Sequence, residues 1–302
     1  MGGIVIFTAF VIAVCFSGFP IDQLLKIAVI GLIFVIFGLL DDAGIKMRAR
    51  YKIWAHLVFS FIFIYLTGLT IELFRLEALN WALTACFITF MTNSMNMLDG
   101  MDGLVSGVSF IASIFFCIMA LNNNLPEVAL LCLAVAGATL GFLRYNFNPA
   151  SIFLGEAGST FLGYILAVVS LNLKIYKLWN IALVLNIPRL QFISFLVPLI
   201  ILGIPIFDTF FVFTNRFLHH IKFSQPGKDH SHHRIHLMGL SQRATVLALY
   251  GVQVILGAIA LSMLNSDLQQ FISLAMIVGI LAFFAWSFLA RVEVSSTASD
   301  KH

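Results

Sequence analysis

Apolar runs long enough to cross a bilayer recur along the whole 302-residue chain, and the short breaks between them hold nearly all its charge. A transmembrane helix needs roughly 20 consecutive apolar residues. About ten runs meet that length, at roughly 3–19, 24–40, 53–71, 79–97, 103–121, 126–143, 157–175, 192–214, 244–264 and 269–290. Hydrophobic residues make up 61% of the chain and charged residues 10%, against about 25% charge in an ordinary soluble domain. One soluble core of this size could not hide that much apolar surface. The expected fold is therefore all-α: a polytopic integral membrane protein with about ten transmembrane helices, residues 1–302 forming one membrane-embedded domain with no separate soluble part.

Met1 to Phe19 is apolar but lacks a basic leading segment and a small-residue cleavage site, so it reads as a retained span rather than a signal peptide. Cys15, Cys86, Cys117 and Cys132 each fall inside an apolar run with no C-x-x-C spacing, which fits packing rather than a disulfide or a metal site. Basic residues are not gathered into an arm or an aromatic-interleaved patch, so nucleic acid is not an expected partner.

If the spans alternate, one face receives residues 41–52, 98–102, 144–156, 215–243 and both termini. That face carries Lys46, Arg48, Arg50, Lys52, Arg144, Arg216, Lys222, Lys228, Arg234, Arg243, Arg291 and Lys301, 12 of the 17 basic residues. Lys26, Arg75, Lys174, Lys177 and Arg189 remain for the other face. Positive charge retained inside makes the first face cytoplasmic. Acidic residues and histidines played no part in that assignment, yet they crowd onto the same face: Asp41, Asp42, Asp99, Asp102, Glu156, Asp208 and Asp229, with His219, His220, His230, His232, His233 and His236. Asp22, Glu72, Glu77, Glu127 and Asp267 are scattered opposite, as ordinary loop ends.

Four clusters on the cytoplasmic face carry chemistry. Asp41-Asp42 emerges from an apolar helix just before a basic stretch; such a pair is costly beside lipid unless paired or used, and reads either as a cap or as a working group. Asn93, Asn96, Asp99 and Asp102 are interleaved with Gly100 and Gly103; spaced three apart, Asn96, Asp99 and Asp102 stack on one side of any helical turn. Such a density of oxygen ligands suits a hard cation such as Mg²⁺, which retains water and substrate phosphates in its shell.

In the third cluster, Phe147 to Ser159, glycines flank Glu156 and a helix is expected to open at Ser159, with free amides for an anion. The fourth, Gly227 to His236, offers His230, His232, His233 and Arg234 as donors to phosphate oxygens. A zinc site is the competing reading there, though without a cysteine. Asp208 ends an apolar helix on the same face and reads either as an extension of the site or as a support for the neighbouring loop. His56 lies on an apolar helix and reads as packing, His219 and His220 as solvated or interfacial.

The order, spacing and sidedness of these motifs resemble the polyprenyl-phosphate N-acetylhexosamine-1-phosphate transferases, glycosyltransferase family 4. The resemblance rests on Asp41-Asp42, on N-x-x-D-G-x-D-G-L from Asn96 to Leu104, on F-x-G-x-x-G-S from Phe153 to Ser159, and on H-x-H-H-R from His230 to Arg234. It spans essentially the whole chain. It implies Mg²⁺-dependent transfer, with Mn²⁺ as a substitute, of a sugar-1-phosphate from a UDP-N-acetylhexosamine to a polyprenyl phosphate, releasing UMP. Asp41 or Asp42 would deprotonate or bind the lipid phosphate. Asp99 and Asp102, with Asn96, would serve nucleotide binding or catalysis, and Glu156 with Asp102 would ligate the metal. His230, His232, His233 and Arg234 would grip the sugar-phosphate end.

The H-x-H-H-R form is closer to the GlcNAc branch, so UDP-GlcNAc and undecaprenyl phosphate are the expected substrates. The setting is a bacterial plasma membrane, at the first step of lipid-linked cell-surface polysaccharide assembly such as cell wall or O-antigen synthesis. A homodimer is an allowed assembly. Where the family loop reads G-D-x-G-S this chain has Glu156, one methylene longer. Its opening Met-Gly-Gly-Ile resembles a P-R-x-G-G-I segment that follows the family's first helix, so a further N-terminal span belongs to the expected pattern. A secondary transporter, which would place its polar groups mid-span, and a catalytically impaired family member are the alternatives.

Overall fold

The computed structural model describes residues 2–45, 47–173, 175, 178, 184, 190–221, 227 and 229–292. The sidedness assignments of Lys46, Lys174, Lys177, Arg189, Lys222, Lys228 and Lys301 lie outside the described residues. Among the described residues there are twelve helices and no strand. They are α1 (Gly2–Cys15), α2 (Ile21–Asp42), α3 (Ala49–Thr67), α4 (Glu77–Leu98), α5 (Leu104–Asn122), α6 (Pro126–Asn146), α7 (Gly155–Asn172), α8 (Leu190–Ile201), α9 (Gly203–Leu218), α10 (Ser231–Leu237), α11 (Gln242–Met263) and α12 (Leu268–Ala290). In lipid, a backbone must satisfy its own polar groups, and helices do so within one segment.

The helix ends carry local signals. Pro126 begins α6, where its missing N–H costs nothing. Ser241 Oγ accepts the Ala244 N–H at 3.2 Å to cap α11, and Asp267 Oδ1 accepts the Gln270 N–H at 2.8 Å to cap α12. Gly68 ends α3 in the left-handed conformation, its N–H returning to the Ile64 carbonyl at 2.8 Å.

Five helices, α2, α5, α6, α11 and α12, are individually long and apolar enough to cross a membrane, and a sixth is gained if α8 and α9 count as one bent span. Among the described residues, length and composition alone do not confirm the expected count of about ten. Helix α1 is only 14 residues long. Helices α3, α4 and α7 carry polar side chains, many turned inward. The apolar run at 192–214 is not one helix: it breaks at Leu202 with a bend of 79°, flanked by Pro198 and Pro205, which cannot donate within a helix. Gln253 of α11 donates from Nε2 to the Ile201 carbonyl at 2.7 Å, satisfying an acceptor beside the break.

Helix α7 is the centre of the bundle. Every residue from Ala157 to Leu171 is buried, the pattern of a helix enclosed on all sides. Tyr164 stacks on Phe34 at 5.0 Å and donates to the Ile27 carbonyl at 3.0 Å, tying α7 to α2. At its first turn the neighbours come within backbone contact. A Cβ on Gly38 would lie 2.5 Å from Ala157 Cα, and one on Gly3 would lie 2.3 Å from the Gly158 nitrogen. Small residues of this kind let membrane helices approach closely. The start of α7, which carries Glu156, is thereby clamped between α1 and α2. Helix α12 lies at the other extreme, almost wholly exposed at the periphery.

Candidate active site

The last residue of α2 and the first turn of α7 form one unit. Asp42 Oδ1 accepts the Glu156 N–H at 2.9 Å and Oδ2 accepts the Ala157 N–H at 3.3 Å. A carboxylate there satisfies amides that have no partner inside the helix and complements the helix dipole. Two expectations change as a result. The helix opens at Gly155 rather than Ser159, and two of its free amides bind Asp42 instead of awaiting a phosphate. Asp42 is thus distinguished from Asp41, whose Oδ2 lies 2.9 Å from Lys52 Nζ. The same ammonium donates to Glu156 Oε2 at 2.6 Å, so Lys52 bridges the two carboxylates.

The second cluster is braced by asparagines. Asn146, at the end of α6, accepts the Gly103 N–H at 3.2 Å and the Ser106 hydroxyl at 2.8 Å, and donates to the Ile152 carbonyl at 3.0 Å. Asp102 Oδ2 accepts Asn148 Nδ2 at 3.0 Å and the Ala150 N–H at 3.1 Å. Asn148 in turn reaches Gln242 Oε1 at 3.0 Å, while Arg243 donates to its carbonyl at 2.7 Å. Asn96 Oδ1 accepts the Ser159 hydroxyl at 3.0 Å, linking this cluster to α7. Asp99 sits between them, just past the end of α4. Burial, with the negative charge of Asp42 and Asp102 added, raises its carboxyl to about 7.

The histidine cluster is folded as the short helix α10 and its leading turn, and Asp208 of α9 organises it. Its Oδ1 accepts the Ser231 N–H at 2.7 Å and the Ser231 hydroxyl at 2.6 Å, and its Oδ2 lies 2.7 Å from His230 Nδ1. Of the two sequence readings, the structure shows Asp208 supporting the loop. His232 is fully buried, its Nδ1 3.6 Å from Asp208 Oδ1, and its ring lies 4.4 Å from that of His233. Asp208, His230 and His232 are close enough to suggest a metal site. The 2.7 Å between Asp208 Oδ2 and His230 Nδ1 instead fits a shared proton, since two ligands of one tetrahedral zinc lie roughly 3.3 Å apart.

Arg234 has a different task from the phosphate donor expected of it. It is 5% exposed, and its Nη1 donates to the carbonyls of Val292 at 2.6 Å and Leu289 at 3.0 Å while its guanidinium lies over the Phe211 ring. It therefore caps the end of α12 and anchors α10 to it. Arg216 grips Asp229 through two bonds of 2.7 Å. These bonds, against the opposing effect of burial, hold the Asp229 carboxyl below its ordinary range.

The clusters meet at Gly100. A Cβ there would lie 2.4 Å from His232 Nε2 and 3.1 Å from His233 Nε2, so the turn carrying Asp99 rests on the histidine loop. Asp41, Asp42, Asp99, Asp102 and Glu156 thus come from the ends of α2, α4, α5 and α7 to one region. Arg234 alone of the expected site residues points away. The residues fit a divalent cation on two counts: Glu156 Oε1 is buried without a hydrogen-bond partner, and Asp99 is held toward its protonated form by burial first and then by the charge of Asp42 and Asp102.

Lys52 entered the sequence reading as a marker of sidedness and as one of the bases near Asp41-Asp42, and its link to Glu156 is what that reading missed. Its signal is its place ten positions after Asp42, at the start of an apolar helix, one turn from buried His56. His56 Nδ1 lies 3.1 Å from Asn93 Nδ2, with Phe34, Phe37 and Phe59 around the ring, as expected of a packing residue, although its Nε2 has no partner.

Residues 24–174 match the sequence model of glycosyl transferase family 4. Over 290 residues, covering 92% of this chain and 77% of the relative, the chain is 36% identical to a probable undecaprenyl-phosphate N-acetylglucosaminyl 1-phosphate transferase of Bacillus subtilis (strain 168). It is 33% identical over 192 residues to the phospho-N-acetylmuramoyl-pentapeptide-transferase of Clostridium botulinum (strain Alaska E43 / Type E3), a match covering 58% of this chain and 59% of that protein. The corresponding enzyme of Limosilactobacillus reuteri (strain DSM 20016) is 34% identical over 196 residues, covering 57% of this chain and 60% of that enzyme. With the matched segment spanning both the Asp41-Asp42 pair and the Glu156 loop, the chain belongs to glycosyl transferase family 4.

Proposed function

We propose that the protein transfers N-acetylglucosamine-1-phosphate, or a related N-acetylhexosamine-1-phosphate, from a UDP-sugar to undecaprenyl phosphate, releasing UMP. The reaction takes place at the cytoplasmic face of a bacterial plasma membrane, with one membrane-embedded domain carrying the whole site. The observation that carries this reading is the gathering of five carboxylates at helix ends around Asp99, against the histidine-bearing loop. Two phosphate-bearing substrates that meet at a membrane surface need fixed cations and donors there, placed to stabilise charge as it moves between them.

Glu156 and Asp102 would hold Mg²⁺, with Mn²⁺ as a substitute, and the ion would neutralise the diphosphate. The remaining roles belong to side chains. Asp42 holds the first turn of α7 in place, leaving Asp41 as the carboxylate of the pair that meets the lipid phosphate and takes its proton. Lys52 keeps Asp41 and Glu156 together and adds a positive charge beside the phosphates. Asn96 and Asp99 lie on the nucleotide side, His233 donates to the sugar-phosphate end, and His230 meets the hydroxyl groups of the sugar. Arg234 acts at a distance, by fixing α10.

The test is UMP release by the purified protein in nanodiscs containing undecaprenyl phosphate, with UDP-GlcNAc and Mg²⁺. Release that stops with EDTA and resumes with excess Mg²⁺ is the expected result. Silence with every UDP-N-acetylhexosamine tried would overturn the reading.

A further inference from the structure

We propose that Asp208 is a positioning residue for the transfer reaction: it fixes the ring of His230 with the proton on Nδ1, so that Nε2 faces the substrate as a hydrogen-bond acceptor for a sugar hydroxyl. This inference rests on the transferase reading for its kinetic consequence, although the hold on His230 stands on geometry alone.

Asp208 is fully buried, and a buried carboxylate persists only where donors surround it. Here the donors all come from the turn that opens α10. The Ser231 N–H and hydroxyl reach Oδ1 at 2.7 and 2.6 Å, and His230 Nδ1 reaches Oδ2 at 2.7 Å. An ionised carboxylate only accepts, so the hydrogen between Oδ2 and Nδ1 belongs to the imidazole. The bond made by one ring nitrogen sets the state and direction of the other. Asp208 therefore determines which way His230 faces. The His230 ring also stacks on His232 at 5.3 Å, and His232 abuts Gly100 beside Asp99, so the orientation is carried toward the carboxylates. The two acceptor oxygens divide the work: Oδ1 holds the backbone turn and Oδ2 the ring.

That division makes the inference testable by a change that preserves shape. In Asp208→Asn the amide oxygen can still accept from Ser231, but the amide nitrogen now faces His230 Nδ1 as a donor. The ring must then carry its proton on Nε2, which turns the acceptor facing the sugar hydroxyl into a donor. The expected loss of UMP release is about 10–100-fold, the range for an outer partner that orients a working histidine. The loss should fall on kcat more than on KM for the UDP-sugar. Asp208→Glu should recover part of it.

Two further measurements separate the inference from a structural role and from the function itself. In a double-mutant cycle, Asp208→Asn should cost nothing further in a His230→Gln background; independent, multiplicative losses would overturn the inference. Ser231→Ala, which removes the hydroxyl bond to Oδ1 and leaves the N–H bond, should retain most activity; a loss matching that of Asp208→Asn would show that Asp208 merely caps the turn. Nitrogen-15 histidine spectra of the full-length protein in lipid, assigned by difference with His230→Gln, read the tautomer without any substrate. A proton on Nδ1 that moves to Nε2 in Asp208→Asn supports the inference, even if no UDP-sugar is turned over. A proton on Nε2 in the wild-type protein overturns it, whatever the activity.

Discussion

The two halves of the site treat charge in opposite ways. In the histidine half every carboxylate has donors: Asp208 holds Ser231 and His230, and Asp229 is gripped by Arg216. In the carboxylate half Asp41, Asp42 and Asp102 also have donors, but five carboxylates converge, Glu156 Oε1 is buried without a partner, and Asp99 is raised to about 7. The difference lies in the carboxylates, since the histidine half keeps both ring nitrogens of His232 buried without a hydrogen-bond partner. A paired, buried network holds one geometry with or without a ligand, whereas crowded carboxylates are left with charge that a cation and its bound phosphates can balance. One half is a preformed frame and the other a receptor for positive charge.

The largest expected effect breaks the receptor half. Asp99→Asn keeps the shape of the side chain but removes its charge, and UMP release should fall by roughly 100-fold or more. A smaller loss would mean that Asp99 is not at the reacting groups. Next is the seam between the halves. Gly100→Ala places a methyl 2.4 Å from His232 Nε2, so the histidine loop must shift. Such a displacement should reduce turnover by up to about 100-fold. If Gly100→Ala turned over normally, the seam would be looser than its contacts indicate.

Changes to the frame should register in stability rather than in substrate affinity. Arg234→Ala removes a charged donor from the carbonyls at the end of α12 and should cost about 1.5–3 kcal/mol in denaturant or thermal unfolding. KM for the UDP-sugar should stay put; a selective rise in KM would return Arg234 to substrate binding.

The smallest effect is one of pH. Asp99 has a folded-state value of about 7 against an ordinary 3.8, so the folded protein binds more protons there than the unfolded chain. Stability from this group is greatest below the lower value and is lost as pH rises through the interval. The metal-free protein should therefore melt at progressively lower temperature as pH rises toward 7, and Asp99→Asn should reduce that slope, the remainder belonging to Glu156, which burial also raises to about 7. Added Mg²⁺ should restore stability most at the alkaline end, where Asp99 is ionised. An unchanged slope in Asp99→Asn would place the excess charge elsewhere.

Much of this was legible before any coordinates. A bilayer-length apolar period announces helices because a lipid solvent leaves the backbone few other choices, and the clusters stand out because ionisable groups are rare in such a chain. What stayed hidden was pairing. Lys52 looked like one basic residue among many, and nothing local shows that its ammonium lies between Asp41 and Glu156, 104 positions away from the latter. Arg234 sits in a motif of donors, yet its partners are carbonyls more than fifty residues along the chain.

The sequence by itself determined that this chain is built of apolar, membrane-spanning helices and predicted that most of its acidic residues and histidines share one face, because hydrophobic length and charge placement are properties of local segments. Only the tertiary structure decided which carboxylates are partnered. It alone made Asp42 a helix cap, left Glu156 with a free oxygen and set Asp208 behind His230. The physical reason is that a hydrogen bond depends on distances between groups far apart in sequence. Those distances exist only once α7 is enclosed by its neighbours and α10 is tied to α9 and α12.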